Sequence, residues 1–276
     1  MSDILIVAMS RVGTVTHYSP YEFFGTFSGV PFWPGGFTLL TASPGAGKTS
    51  WLLRMVFEGA ALGIPSAIAC YEHTEEELKY RLRRQAQAMV VGAHDSAGDS
   101  DTEMQLAKCG AAVLMATDYK ENTVRSIEDE LLKAYHFPVK GPALVAVDYL
   151  NLIPVVGLTG MVPIEFRSGE AAAALHDMAK KHGWAVITAA ALNSDSFAKD
   201  LPGLEDLYGD ERVPYEADRV IYMKREGVPR DCGCVRLTIH VLKDRTDKLR
   251  TWPMDFWGAR FYPALESEFA DHDGEG

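Results

Sequence analysis

Ala42-Ser43-Pro44-Gly45-Ala46-Gly47-Lys48-Thr49 sets two glycines, a lysine and a hydroxyl in one short run. Such a run suits phosphate. Glycines let the backbone curl until its N–H groups face an anion, a lysine can follow the terminal phosphates, and a hydroxyl next to it can sit on Mg²⁺. Pro44, Gly45, Ala46, Gly47, Lys48, Thr49 and Ser50 are therefore the expected nucleotide contacts. The usual pattern opens with glycine where this chain has Ala42, a difference that asks only for ordinary backbone at that position. Hydrolysis needs carboxylates as well, one to orient water and one to help hold the metal. Asp148 and Glu72 each follow a short apolar run, the setting in which a side chain stands at the carboxyl edge of a sheet; the alternative for either is a helix-capping or loop acid.

These groups are useful only if the elements around them are ordered. Residues 37–41 read as a buried strand, and residues 50–63 carry Leu52, Leu53, Met55, Val56 and Ala60 at helical spacing before a glycine stop. A strand over 67–71 follows. Thr74-Glu75-Glu76-Glu77 then opens a helix with a capping box and the apolar stripe Leu78, Leu82, Ala86 and Met89. In that helix Glu75 with Lys79 and Glu77 with Arg81 have i,i+4 spacing, so its basic residues read as a solvated face. Residues 91–110 read as a loop-rich connection, 111–116 as a strand and 124–135 as a helix ending before Pro138. Strands at 143–147 and 184–190 flank a helix at 169–182, and further strands fall at 219–223 and 235–242. Strands too uniformly apolar to have a wet face, alternating with helices, predict an α/β fold with a mostly parallel sheet covered by helices on both faces. The last strands, joined by short polar turns, are expected to be antiparallel.

The chain has 276 residues, 47% of them apolar, enough for one sizeable core. It contains neither a long uninterrupted apolar run nor a basic start leading into an apolar leader, so no membrane span or secretory signal is expected. Its four cysteines include one close pair, Cys232-Gly233-Cys234, which reads as a hairpin turn in preference to zinc ligands. A reducing cytoplasmic setting fits. The net charge of −11 argues against coating nucleic acid with the whole surface, though it leaves room for a local basic channel. The expected organisation is an arm over residues 1–34, a core over 35–263 and an acidic, disordered tail over 264–276.

The order of parts resembles the ATPase domain of DnaB-type replicative helicases, a RecA-like P-loop fold. The resemblance rests on the phosphate loop, on Tyr71-Glu72 with the helix that follows, and on Val145-Ala146-Val147-Asp148-Tyr149-Leu150. Leu192-Asn193, Leu204-Glu205-Asp206-Leu207, Glu216-Ala217-Asp218-Arg219-Val220 and Leu242-Lys243-Asp244-Arg245 continue it, over residues 35–262 in all. The resemblance implies an ATP hydrolase with Mg²⁺, in which Glu72 orients the attacking water, Thr49 and Asp148 serve the metal and Lys48 meets the phosphates. It also implies that Lys243 and Arg245 act on ATP held by a neighbouring subunit of a homo-oligomer such as a hexameric ring. The alternative for this pair is a solvated turn around Asp244. Single-stranded DNA is the implied partner, with Arg167, Lys199 and Arg212 as the cations of the DNA-facing segments 154–167 and 194–214.

Three departures accompany the likeness. The helicases carry an additional N-terminal domain and linker, against residues 1–34 here. Ala191 stands where the family has a nucleotide-sensing glutamine, and the DNA-facing segments hold more acidic than basic residues. The leading expectation is a helicase motor in replication or recombination; the alternative is an ATP-dependent regulator or recombination accessory of the same fold that unwinds nothing.

Overall fold

A computed structural model describes residues 5–6, 32–61, 63–91, 112–117, 122–134, 137–158, 163–227 and 234–265. In chain order the elements are β1 (Leu5–Ile6), β2 (Phe37–Ala42), α1 (Lys48–Ala61), β3 (Ser66–Cys70), α2 (Glu75–Val91), β4 (Ala112–Ala116) and α3 (Val124–Lys133). They continue with β5 (Leu144–Asp148), α4 (Ile164–His182), β6 (Ala185–Ala190), α5 (Val213–Glu216), β7 (Arg219–Glu226), β8 (Cys234–Asp244), β9 (Thr251–Trp257) and β10 (Tyr262–Leu265).

Every residue of β2, β3, β5 and β6 is buried. Because successive side chains point to opposite faces, each of these strands feeds two cores. Phe37, Leu39, Ala67, Ala69, Val145 and Val147 join one, packed with Ile127 and Leu131 of α3 and Leu175 and Met178 of α4. Leu40, Ala42, Ile68, Cys70, Leu144 and Ala146 join the other, under Leu52, Leu53 and Val56 of α1 and Leu78 of α2. Full burial of each Leu, Ile, Val, Met or Phe side chain among them contributes about 1.5–3 kcal/mol.

The strands form one sheet in the order β1-β4-β3-β5-β6-β2-β7-β8-β9-β10. From β4 to β7 all neighbours are parallel; β8 pairs antiparallel with β7, as expected, and β9 and β10, which the sequence did not announce, extend the antiparallel part and take in residues 264–265 of the expected tail. At the opposite edge Leu5–Ile6 runs antiparallel to Val113 and Leu114 and adds a short strand to the sheet. The capping box of α2 is formed, Thr74 N donating to Glu77 Oε2 at 2.9 Å and Glu77 N to Thr74 Oγ1 at 3.3 Å.

Some boundaries move. α1 starts at Lys48, two residues before the predicted start, so that the lysine and threonine of the phosphate loop form its first turn. α4 begins at Ile164, with Pro163 as its N-cap, and takes Arg167 out of the predicted loop. β7 and β8 outrun their apolar cores because antiparallel pairing carries each on to residues with one wet face, from Arg219↔Asp244 to Glu226↔Arg236. The predicted connection over 92–110, Cys109, the Cys232-Gly233 turn and the tail from residue 266 lie outside the described residues. Cys234 is buried.

Candidate active site

The phosphate loop joins the carboxyl end of β2, a central strand, to the N-terminus of α1. Gly45 (φ 74°) and Gly47 (φ 99°) take left-handed conformations that other residues adopt at a cost. A Cβ on Gly47 would also come within 3.0 Å of the Phe256 ring. Lys48 Nζ donates to the carbonyl of Ala42 at 3.1 Å, folded back along the loop it must serve. Burial pulls the Lys48 ammonium below its ordinary pKa, and the charges of Asp148 and Glu72 oppose that pull.

Asp148 ends β5, one strand removed from β2 across β6. Its Oδ2 accepts from Thr49 Oγ1 at 2.6 Å and lies 3.6 Å from the Cys70 thiol. Burial raises the Asp148 carboxyl above the usual range despite these donors. Glu72 follows β3 at the same sheet edge, raised first by burial and then by the Asp148 charge. Glu72, Asp148 and His73 have donor atoms within 4.8 Å of one another. This is a donor set that fits a divalent cation beside the Thr49 hydroxyl.

A cavity of about 520 Å³ opens over these groups, lined also by Arg81, Tyr149, Ala191, Phe256, Gly258 and Phe261. The Arg81 guanidinium lies 4.6 Å from the Phe261 ring centroid, and Tyr80 meets that ring edge-on. Phe261 holds a left-handed φ of 53°, a strained conformation kept in place by Gln85 Nε2, which donates to its carbonyl at 2.6 Å. The same amide nitrogen donates to Ser50 O at 2.8 Å, and Arg54 of α1 donates to Pro263 O at 2.8 Å. The C-terminal strands are thus pinned to the phosphate-loop helix. Arg81 corrects the prediction of a solvated face, since packing against Phe261 turns it over the pocket.

Lys243 and Arg245 are elsewhere. β8 runs antiparallel to β7, so its end at Asp244 pairs with Arg219, level with Thr38 at the start of β2. Five residue steps of β2, roughly 17 Å, separate that level from the phosphate loop. Lys243 Nζ donates to Pro214 O and Ala217 O, each at 2.6 Å; Arg245 reaches Tyr215 O at 2.7 Å and Asp218 Oδ1 at 3.1 Å. Asp244 Oδ2 is buried against the fully buried Arg219 at 2.7 Å, while its Oδ1 accepts from Thr246 N at 2.9 Å in the exposed turn that follows.

The family model of the DnaB-like helicase C terminal domain matches residues 26–261. The chain belongs to this family. Its fold is the RecA-like one expected. One solved ATPase domain superposes with a TM-score of 0.70 at 17% identity, over 84% of this DnaB-like chain and 86% of that one. A DnaB-like replicative helicase solved with attention to its interactions with primase gives 0.69 at 17% identity, over 84% of this chain and 59% of that helicase. A KaiC-like protein, PH0186 from Pyrococcus horikoshii OT3, gives 0.57 at 15% identity, over 93% and 97%. No curated protein matches the chain in sequence.

In this DnaB-like chain the expected DNA cations are largely engaged. Lys199 pairs with Asp206 at 2.6 Å and holds that carboxyl at about 2, and Arg212 pairs with Asp210 at 2.7 Å and Glu170 at 2.8 Å. Arg167 is half-buried, with its Nε out of solvent. The segment 194–206 is closed at its base by Asn193 N donating to Asp206 O and Tyr208 N to Ala191 O, both at 2.8 Å. Asn151, buried just beyond Asp148, spans that base: Ala191 N donates to its Oδ1 at 3.1 Å and its Nδ2 donates to Tyr208 O at 2.9 Å. It connects a wall of the nucleotide pocket to the predicted DNA-facing segment. Sequence reading missed Asn151, His73, Arg81, Phe256 and Phe261; only the adjacency of His73 to Glu72 and of Asn151 to the Asp148 segment could have flagged any of them.

Proposed function

We propose that this chain hydrolyses ATP in a homo-oligomer, a hexameric ring in the leading form, in which Lys243 and Arg245 complete the site of the neighbouring subunit. The observation that carries the reading is their placement at the opposite sheet edge from their own phosphate loop. There they are remote from ATP bound in the same subunit and presentable to another. Within one subunit, backbone N–H groups from Gly45 to Ser50 hold the phosphates and Lys48 follows the terminal ones. Thr49 and Asp148 hold Mg²⁺, which supplies neutralisation of the charge that develops on the phosphates. Glu72 takes a proton from the attacking water, a role its raised pKa suits. The Arg81–Phe261 platform offers a flat cationic–aromatic surface for a base.

Single-stranded DNA is the proposed partner, in replication or recombination, within a reducing cytoplasm. A second reading, an ATP-dependent regulator of the same fold, is favoured by two observations: Ala191 offers no side-chain polar group to the pocket, and Lys199 and Arg212 are already paired. ATPase rate with and without single-stranded DNA, beside unwinding of a forked duplex, separates the two. Stimulation with unwinding supports the motor; turnover indifferent to DNA supports the regulator.

A further inference from the structure

We infer that His73 makes the metal position of this site a mixed nitrogen–oxygen one that prefers Mn²⁺ and later first-row divalent ions to Mg²⁺. The inference rests on the proposed function only in taking the Thr49–Asp148 corner to be where a cation binds.

Three features support it. The donor atoms of Glu72, His73 and Asp148 lie within 4.8 Å of one another, close enough for one ion to draw on an imidazole together with carboxylate oxygen. Next, His73 is held by backbone it cannot easily leave, between the end of β3 and the Thr74 cap of α2, whose reciprocal hydrogen bonds with Glu77 fix the turn. Finally, the capping carboxylate has a second contact, Glu77 Oε2 lying 3.6 Å from His73 Nδ1. A carboxylate beside one ring nitrogen orients the imidazole and leaves the other nitrogen free of it to face an ion.

The choice of ion follows from ligand chemistry. Mg²⁺ demands near-ideal oxygen coordination and sheds water reluctantly, whereas imidazole suits the transition metals, whose affinities climb from Mn²⁺ onward.

The test is Mn²⁺ binding to the nucleotide-free chain, followed by the loss of the free-ion EPR signal, with Mg²⁺ as competitor. The wild type is expected to bind Mn²⁺ at least tenfold more tightly than Mg²⁺. His73→Ala should weaken Mn²⁺ about 10- to 100-fold while moving Mg²⁺ less than twofold. Pulsed EPR of the wild-type Mn²⁺ complex should show coupling to an imidazole nitrogen, which needs no variant at all. Absence of that coupling, or equal losses for both ions in His73→Ala, overturns the inference. Asp148→Asn separates the two levels: if it abolishes binding of both ions while His73→Ala changes neither, the cation corner stands and His73 is no ligand. If Asp148→Asn leaves both ions bound, the corner itself is misassigned.

Discussion

Arg245 Nη1 sits 3.1 Å from Asp218 Oδ1, and the other oxygen of that carboxylate accepts from Phe37 N at 3.0 Å, so the arginine is moored to the root of the strand that carries the phosphate loop. Arg245 is about half exposed. An exposed ion pair of this kind contributes little to stability and is readily exchanged for a stronger anion. We expect Arg245→Ala to bind ATP nearly normally and to lose about 10³- to 10⁵-fold in turnover. Blending it with Glu72→Gln subunits should restore part of the rate. No recovery at any ratio, with full activity in dilute monomer, would remove the shared site.

Glu72→Gln should retain ATP and slow hydrolysis by about 10²- to 10⁴-fold, because the amide keeps the shape and lacks the basic oxygen. A base must be unprotonated to act, so activity is present above its pKa and lost as pH falls through it. Burial and Asp148 raise the Glu72 carboxyl, which places this acid limb above the range of an ordinary glutamate. A pH–rate profile of kcat whose acid limb stays unchanged in Glu72→Gln would point to another base.

Lys48→Ala should abolish measurable ATP binding or turnover, since it removes the one side-chain charge in the loop that can follow the terminal phosphates. Equilibrium binding of a fluorescent ATP analogue checks this independently of hydrolysis.

Asp148→Asn should do two opposite things. The native carboxyl is raised above its unfolded value by burial, so the folded chain binds the proton more tightly and stability falls as pH rises from the unfolded pKa through the folded one. Asparagine removes that penalty while its amide oxygen can still accept from Thr49. The nucleotide-free variant should melt higher than wild type at pH 7 and equally at pH 3, and it should lose metal-dependent turnover. A lower melting temperature at neutral pH would show that the carboxylate stabilises the site it occupies.

Asn151→Ala should destabilise the fold by about 1 kcal/mol, because the buried amide's two part-buried hydrogen bonds, from Ala191 N and to Tyr208 O, are lost. Urea unfolding measures the loss. If the bridge also transmits ATP state, stimulation by single-stranded DNA should fall further than the basal rate.

The legible part of this protein was whatever is local. The phosphate loop is one continuous run, its strand and helix are adjacent to it, and buried strands such as β5 announce themselves by having no polar residue before Asp148. The groups that escaped sequence reading come from elements brought together only by packing. Arg81 has ordinary helical spacing with Glu77, and it reaches the pocket because Phe261, 180 positions later, offers it an aromatic face. Asp244 reads as a turn acid between two cations and one of its oxygens does cap that turn, but the antiparallel register of β7 and β8 also sets the other against Arg219 in the interior. The start of α4 was obscured because residues 164–168 lack a clear apolar stripe; Pro163 was the signal that a first helical turn began there.

Finally, the two-residue β1 bears on how any oligomer is interpreted. Its pairing with Val113 and Leu114 covers backbone groups of β4 that would otherwise line an open sheet edge. Open edges recruit strands from other molecules. A chain shortened past Ile6 would present such an edge and could self-associate side by side through it. Those aggregates would have the mass of an assembly without its geometry, bringing no Arg245 to any phosphate loop, and their growth would be open-ended where a ring closes.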